Sequence, residues 1–314
     1  MKDIDIVLPV YNEEQCLRRF HEALDKQLAR LTDRYRFRIL YVLDRCPDNS
    51  LGVLREIAAR DLRVTVLRLS RRFGHQMSLV AGIDHCNGDA VIMMDCDLQH
   101  PPEVIPCLLE KFEEGYDVVH TLRRYDPASG LTKRSTSHLF YKLQNALSPV
   151  KIQEGAADFR LISKKVASVF QNSIREQNQF LRGLFHWVGF ESAQVSFLSP
   201  ARLAGHTKYR PLRLVAFSIA GITSFSKVPL RFATLLGFSI SSLSVLYGIY
   251  LICVFFFAGH LPPGYTSLIV VTLFMGGLQL TVLGILGEYV GSIFDDVKSR
   301  PLYIVDEIIA GRRE

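Results

Sequence analysis

The sequence predicts an α/β domain on a mostly parallel sheet with helices on both faces, followed by a membrane part. Three observations carry this. Apolar runs and segments of helical period alternate singly from Ile4 to Thr121, the pattern of strands joined by right-handed helical crossovers. Those apolar runs end in polar or acidic residues, and in such sheets ligands bind outside the carboxyl ends of the strands. After Leu230, two stretches, Phe232 to Ala258 and Thr266 to Gly287, carry no charged residue, and each exceeds the roughly 20 residues that cross a hydrocarbon core.

Ile4 to Pro9 is the first expected strand. Glu13 to about Thr32 places Leu17, Phe20, Leu24, Leu28 and Leu31 at helical spacing. Phe37 to Leu43 is a second strand, and Asp44 to Ser50 a turn rich in Asp, Pro and Asn. A helix to about Asp61, a strand Val64 to Leu69 and a helix from Gly74 to Cys86 follow. The run Ala90 to Met94 reads as a buried strand leading into Asp95, stopped by Pro101 and Pro102. A helix from Glu103 to Glu113 and a strand from Asp117 to Thr121 close the section.

Net charge is +6 with pI near 9.0, a modest basic excess compatible with nucleic acid, anionic lipid or phosphorylated substrates. The opening Met1-Lys2-Asp3 is too charged, and the run after it too short, for a secretory signal. Six cysteines without CxxC or framework spacing predict reduced thiols in a cytosolic setting. Neither the dinucleotide fingerprint nor the phosphate-binding P-loop occurs, so phosphates here need metal and basic side chains.

Polar residues gather at the strand ends: Pro9, Tyr11 and Glu13, then Asp44, then Asp95 and Asp97. Asp44 alone reads as a helix cap or turn residue. Asp95-Cys96-Asp97 reads equally as an acidic turn or as a hard-cation site, since Mg²⁺ and Mn²⁺ take oxygen ligands and share them with phosphates. Alternation points Cys96 away from both acids, into packing.

Pro9-Val10-Tyr11-Asn12-Glu13-Glu14, Leu69 to Gln76, and Asp95 to Glu103 together resemble the inverting, GT-A-type family 2 glycosyltransferases. Within them the polyprenyl-phosphate group, with dolichol-phosphate mannose synthase and bactoprenol glucosyltransferase, is most similar. The match runs on through Asp158-Phe159-Arg160-Leu161, Gln179 to Leu184, and Gly205 to Tyr209. The resemblance implies that Pro9, Tyr11 and Glu13 line the nucleotide pocket and that Asp44 recognises the base. It also implies that Asp95 and Asp97, with Gln99, hold Mg²⁺ or Mn²⁺ on the sugar-nucleotide diphosphate. Arg202 and Lys208 match basic positions that close over that diphosphate. Arg72-Phe73-Gly74 and Leu43-Asp44-Arg45-Cys46 depart from the usual patterns and leave the base open. UDP-glucose is the first expected donor, and GDP-mannose or another UDP-sugar the second.

The stretch Leu122 to Ser137 is polar and carries Arg123, Arg124, Lys133 and Arg134. It reads as a solvated loop, or as a lid whose cations grip a phosphate. The resemblance favours Arg123, Lys133 and Ser137 for the acceptor phosphate, with Arg124 and Arg134 as alternatives. Asp158 reads as a cap by itself; its match in the family lies beside the sugar carbon as base or positioner. Orientation is the expected role, because a lipid phosphate with a second pKa near 6 is already largely deprotonated at neutral pH. Gln179-x-x-Arg182 resembles the Gln-x-x-Arg-Trp signature with Gly183 replacing Trp, and Trp187, Phe185 and Phe190 are expected in the core.

Pro211 to Lys227 reads as an amphipathic helix lying in the membrane interface. Between the spans, Gly259 to Tyr265 has no Lys or Arg, whereas Arg213, Lys227 and Arg231 precede and Lys298, Arg300, Arg312 and Arg313 follow. The positive-inside rule then puts both termini in the cytosol, at the plasma or inner membrane. The expected layout is a catalytic domain over 1–210, an interfacial helix over 211–229, two spans over 230–290 and a cytosolic tail over 291–314. Glu288 is expected to be interfacial. The expected partners are a nucleotide-sugar, a polyprenyl phosphate and the membrane, with no nucleic acid. The resemblance alone adds a homo-oligomer, a tetramer, and a flippase for the lipid-linked sugar. Two other classes stay open: a processive polysaccharide synthase, for which two spans are too few unless chains combine, and a non-catalytic membrane scaffold.

Overall fold

The computed structural model describes residues 1–124, 155–198, 228–258 and 264–311. Lys133, Arg134, Ser137, Arg202, Lys208, the amphipathic segment 211–227 and the inter-span residues 259–263 lie outside them.

Strands β1 (Lys2–Val10), β2 (Tyr35–Leu43), β3 (Val64–Leu69) and β4 (Ala90–Met93) pair in parallel, β1 lying between β2 and β4. Helices α1 (Glu14–Leu28), α2 (Ser50–Arg60) and α3 (His75–Asp84) connect them, and α4 (Ile105–Glu113) leads to β5 (Val118–Arg124). After β6 (Ala156–Ser163) come α5 (Lys164–Asn172), α6 (Leu181–Trp187) and β7 (Ser192–Leu198). The long helices α7 (Val228–Ala258) and α8 (Tyr265–Val297) precede a last strand, β8 (Val305–Ala310).

The eight strands form one sheet in the order β7-β5-β6-β4-β1-β2-β3-β8. The expectation of a mostly parallel sheet holds for β1 to β4 and for the β5–β7 pair. The sheet as a whole is mixed, because β6 inserts antiparallel between β4 and β5, and β8 runs antiparallel along β3. β8 also places part of the expected tail in the sheet. Arg55 bonds both Glu307 carboxylate oxygens at 3.0 Å, and Ser70 N–H donates to the Ile304 carbonyl at 2.9 Å.

Strand alternation sorts the core into two layers. Ile4, Ile6, Leu8, Ile39 and Tyr41 pack with α1, α2 and α4, where Leu17, Phe20, Leu24 and Leu28 are fully buried. Val7, Leu40, Val42 and Met93 face the other way, onto α3, α5 and α6. Both faces are covered, which is why these strands read as continuous apolar runs. Each buried Leu or Ile side chain contributes on the order of 1.5–3 kcal/mol. Helix α3 lies so close to β1 that a Cβ at Gly82 would fall inside the Val7 side chain.

Helices α7 and α8 contain segments of 21 and 31 residues, Leu230–Tyr250 and Ser267–Val297, whose apolar 18-residue windows are 6% and 0% buried. Both are therefore long and apolar enough to cross a membrane, and neither is a core helix of the α/β domain. The end of α8 is tied to the loop between α5 and α6. Gln177 N–H donates to Asp296 Oδ1 at 2.8 Å, its amide donates to the Arg300 carbonyl, and Asn178 Nδ2 lies 3.4 Å from Ser292 Oγ.

Candidate active site

The carboxyl ends of β1, β2 and β4 open into a cleft of about 360 Å³ lined by Pro9, Tyr11, Glu13, Asp44, Arg72, His75, Asp95, Asp97, Gln99, Arg123, Asp158 and Arg182. Pro9, Tyr11, Glu13, Asp44, Asp95, Asp97, Gln99, Arg123 and Asp158 were all expected there from the sequence, and the structure brings them together.

Past the ends of β1 and β3, the Arg72 guanidinium lies over the Tyr11 ring, 4.0 Å from its centroid, a cation–π contact. Asp44 is buried and accepts from Phe73 N–H and Gly74 N–H, each at 2.8 Å. It therefore clamps the loop that carries Arg72 and starts α3. Gly74 makes this possible with φ of +96°, a region open to glycine at little cost.

Asp95 and Asp97 stand where β4 ends. Asp97 Oδ1 accepts from Gln99 N–H at 3.0 Å across Leu98, whose φ is +62°. A bulky residue held in the left-handed region stores local strain, which concentrates at functional sites. Cys96 between the two acids is buried in the core, as strand alternation predicts. Buried His100 accepts the Asp95 amide hydrogen on Nδ1 at 2.9 Å and stacks on Phe159, centroids 5.3 Å apart. Burial lowers its pKa. The neutral ring then carries its proton on Nε2, so Arg123 Nη2 at 3.4 Å is a contact rather than a donor to that nitrogen. Among the described residues no group of three or more His, Cys, Asp or Glu is placed to hold a metal. A cation here would take its protein ligands from Asp95, Asp97 and Gln99 and the remaining oxygens from elsewhere. Mg²⁺ is bound in just this manner, through one or two carboxylates plus substrate phosphates.

Asp158 sits within β6, not at a turn or cap, and it is buried. Arg182 grips it with both arms of a fork, Nε to Oδ1 at 2.9 Å and Nη2 to Oδ2 at 2.8 Å. Arg160 Nη2 lies 3.3 Å from Oδ1, and His75 Nε2 3.5 Å from Oδ2. Burial alone would raise the Asp158 pKa, but Arg182 and His75 outweigh it and hold the carboxyl well below the usual range. His75 is also 3.7 Å from Asp95 Oδ1. Its side chain is exposed; partial desolvation at the cleft wall disfavours its charge, but Asp95 and Asp158 lift its pKa to about 9. Asp158 is thus an ionised carboxylate ringed by cations, and a weak base.

The sequence alone assigns His75 no role, although it falls within the run Leu69 to Gln76. Its position at the first residue of α3, facing Asp95 just past β4 and Asp158 within β6, is a tertiary fact. Gln179 of the signature is buried and its amide bonds the Glu176 carbonyl at 3.0 Å, so it shapes the loop while Arg182 reaches the site. Phe185 is buried as expected and Phe190 is half-buried. Trp187 corrects the expectation: it is 61% exposed, because Leu184, Phe185 and Val188 already supply the inward face of α6. Glu288 is exposed on α8.

The family model for Glycosyl transferase family 2 matches residues 5–170. The SfII prophage-derived bactoprenol glucosyl transferase of Shigella flexneri is 40% identical over 302 residues, 96% of this chain and 97% of that protein. The prophage bactoprenol glucosyl transferase homolog of Escherichia coli K12 is 38% identical over 97% of this chain and 99% of that one. The uncharacterized glycosyltransferase YkcC of Bacillus subtilis is 38% identical over 96% and 93%. With a mixed α/β sheet of GT-A type and relatives matched along nearly their whole length, the chain belongs to glycosyltransferase family 2.

Proposed function

We propose that the chain transfers glucose from UDP-glucose to the phosphate of a polyprenyl lipid at the cytosolic face of a membrane, with inversion at the anomeric carbon. The observation that carries this reading is the state of Asp158. Arg182 and His75 hold the Asp158 carboxyl well below the usual range, which makes it a weak base for a neutral hydroxyl acceptor. An acceptor that is already an anion needs none. The names of the relatives agree, since bactoprenol is a polyprenyl lipid and glucose the group those proteins transfer.

In this reading an acceptor phosphate oxygen attacks the anomeric carbon, a new C–O bond forms, and the bond to the diphosphate breaks with its electron pair leaving on UDP. No proton moves. Tyr11, Arg72 and Glu13 wall the nucleotide, and Asp44 keeps the Arg72 loop in place. Asp95, Asp97 and Gln99 would hold Mg²⁺ or Mn²⁺, whose charge offsets that of the departing diphosphate. Arg123 draws the acceptor phosphate in; the sequence resemblance adds Lys133, Arg134 and Ser137 for that phosphate and Arg202 and Lys208 for the donor diphosphate, all outside the described residues. Asp158 fixes the Arg182 and His75 cations beside the reacting centre, supplying orientation and charge. Helices α7 and α8 span the bilayer with the termini in the cytosol, which brings an aqueous donor to a lipid acceptor. A lipid-linked-sugar flippase is the natural consumer of the product.

The test is a panel of nucleotide-sugars given to the purified protein with polyprenyl phosphate, with and without EDTA. UDP-glucose is expected to give the lipid-linked product, and EDTA to abolish it. Preference for GDP-mannose would overturn the donor assignment, and polymer formation without lipid would support a processive synthase instead.

A further inference from the structure

Trp187 is the only tryptophan of the chain, and its exposure has no explanation in the catalytic reading. It occupies the side of α6 opposite Phe185, which packs into the core with Leu181 and Leu184. An exposed indole on a soluble surface is costly in apolar hydration. Phe190 lies three residues on, half-buried, with Lys165 Nζ 5.0 Å from its ring centroid. Lys164 and Lys165 at the start of α5 are both exposed.

The connections of α6 indicate what covers this face. The loop entering it is bonded through Gln177 and Asn178 to Asp296 and Ser292 at the end of α8. Glu288 is the first charge on α8 after the uncharged stretch from Tyr265, and Ser292 lies only about 6 Å further along the axis. Helix α6 has seven residues, a length of about 10 Å. The α3–α5–α6 layer is therefore the one held beside the point where α8 leaves its apolar stretch. Trp and Lys are the residues that settle at a membrane–water boundary, the indole among headgroups and the ammonium toward lipid phosphate.

We propose that Trp187, with Phe190 and Lys165, is a second membrane contact of the catalytic domain, the indole seated in the headgroup region of the bilayer. This rests on the reading that α7 and α8 span that bilayer. Its effect would be to hold the domain at a set tilt, so that Arg182, five residues earlier on the same helix, faces an acceptor phosphate presented at headgroup level.

The native fluorescence of the full chain tests this directly, because Trp187 is its sole source of tryptophan emission. The protein is reconstituted in phosphatidylcholine–phosphatidylglycerol vesicles, in parallel with lipid brominated along the acyl chain. The expected result is blue-shifted emission that brominated lipid quenches and aqueous acrylamide quenches poorly. Emission open to acrylamide and insensitive to bromine would overturn the contact. Shielding from both quenchers would overturn it too, because the indole would then be covered by protein. Flotation of the same samples separates the two readings: chain that floats without bromine quenching defeats this contact only, and chain that does not float defeats the spanning helices and this contact with them.

Discussion

At the scale of single residues, the cations around Asp158 decide what the site can do. Asp158→Asn keeps the shape but removes the charge that gathers Arg182 and His75. We expect turnover to fall by about 10²–10³-fold, the range for losing one preorganised electrostatic group. Donor affinity by calorimetry should change little, and a loss of UDP-glucose binding would contradict the assignment. Arg182→Lys should restore little activity, because a point charge cannot reproduce the two-armed bond to both Asp158 oxygens. The pH dependence has a definite sign. The Asp158 pKa is depressed in the folded state, so its contribution to stability is complete above the ordinary value of 3.8 and is lost as pH falls through the folded value. Its titration is thus remote from neutrality, and the acid limb of the rate profile should report the acceptor phosphate near pH 6. Asp158→Asn should leave the midpoint of that limb in place. His75 behaves oppositely: raised from 6.5 to about 9, its contribution is fully present below 6.5 and fades as pH rises through about 9. In metal-free protein, thermal melts of wild type against His75→Asn should converge on that alkaline side.

Among elements, the edge strand β8 and the close approach of α3 to β1 carry the clearest consequences. Arg55→Ala removes an exposed ion pair with Glu307, a change worth about 0–1 kcal/mol. Deleting Val305–Ala310 strips the whole ladder from β3, and should lower the melting temperature far more than Arg55→Ala does. Equal effects would mean that β8 pairs only weakly. Gly82→Ala would drive a methyl group into Val7, and overpacking of this kind costs about 1–3 kcal/mol. The elements also separate what the sequence could reveal from what it could not. Strands β1 to β4 and helices α1 to α4 were legible because each buries a continuous apolar run or stripe whose period survives any choice of neighbours. β6 and β8 were not, since an antiparallel insertion is a pairing between distant segments that leaves no local trace. Asp158 was legible through its motif, whereas its bonds to Arg182 and His75 depend on β6 meeting α6 and α3. Trp187 was misplaced because a lone aromatic after a helical apolar stripe carries no sign of which side it takes.

For the whole molecule, the cleft domain is followed by two helices long and apolar enough to cross a membrane, and the proposed function places the cleft in the cytosol. Cys107 on α4 and Cys253 on α7 are exposed, Cys46 is half-buried, and Cys16, Cys86 and Cys96 are buried, so the test uses a chain in which Cys46 and Cys253 are replaced by Ser. A membrane-impermeant maleimide should therefore label Cys107 in inside-out vesicles and spare it in right-side-out ones; the reverse pattern would invert the topology. The central claim is that Asp158, a weak base beside Arg182 and His75, suits an acceptor that is already an anion. Its most direct test offers UDP-glucose and the metal with either polyprenyl phosphate or the polyprenol of equal length, reading product by mass spectrometry. The account predicts one glucose on the phosphate, in the β configuration, with UDP released in equal amount, and no product on the alcohol. Comparable transfer to the polyprenol would contradict it.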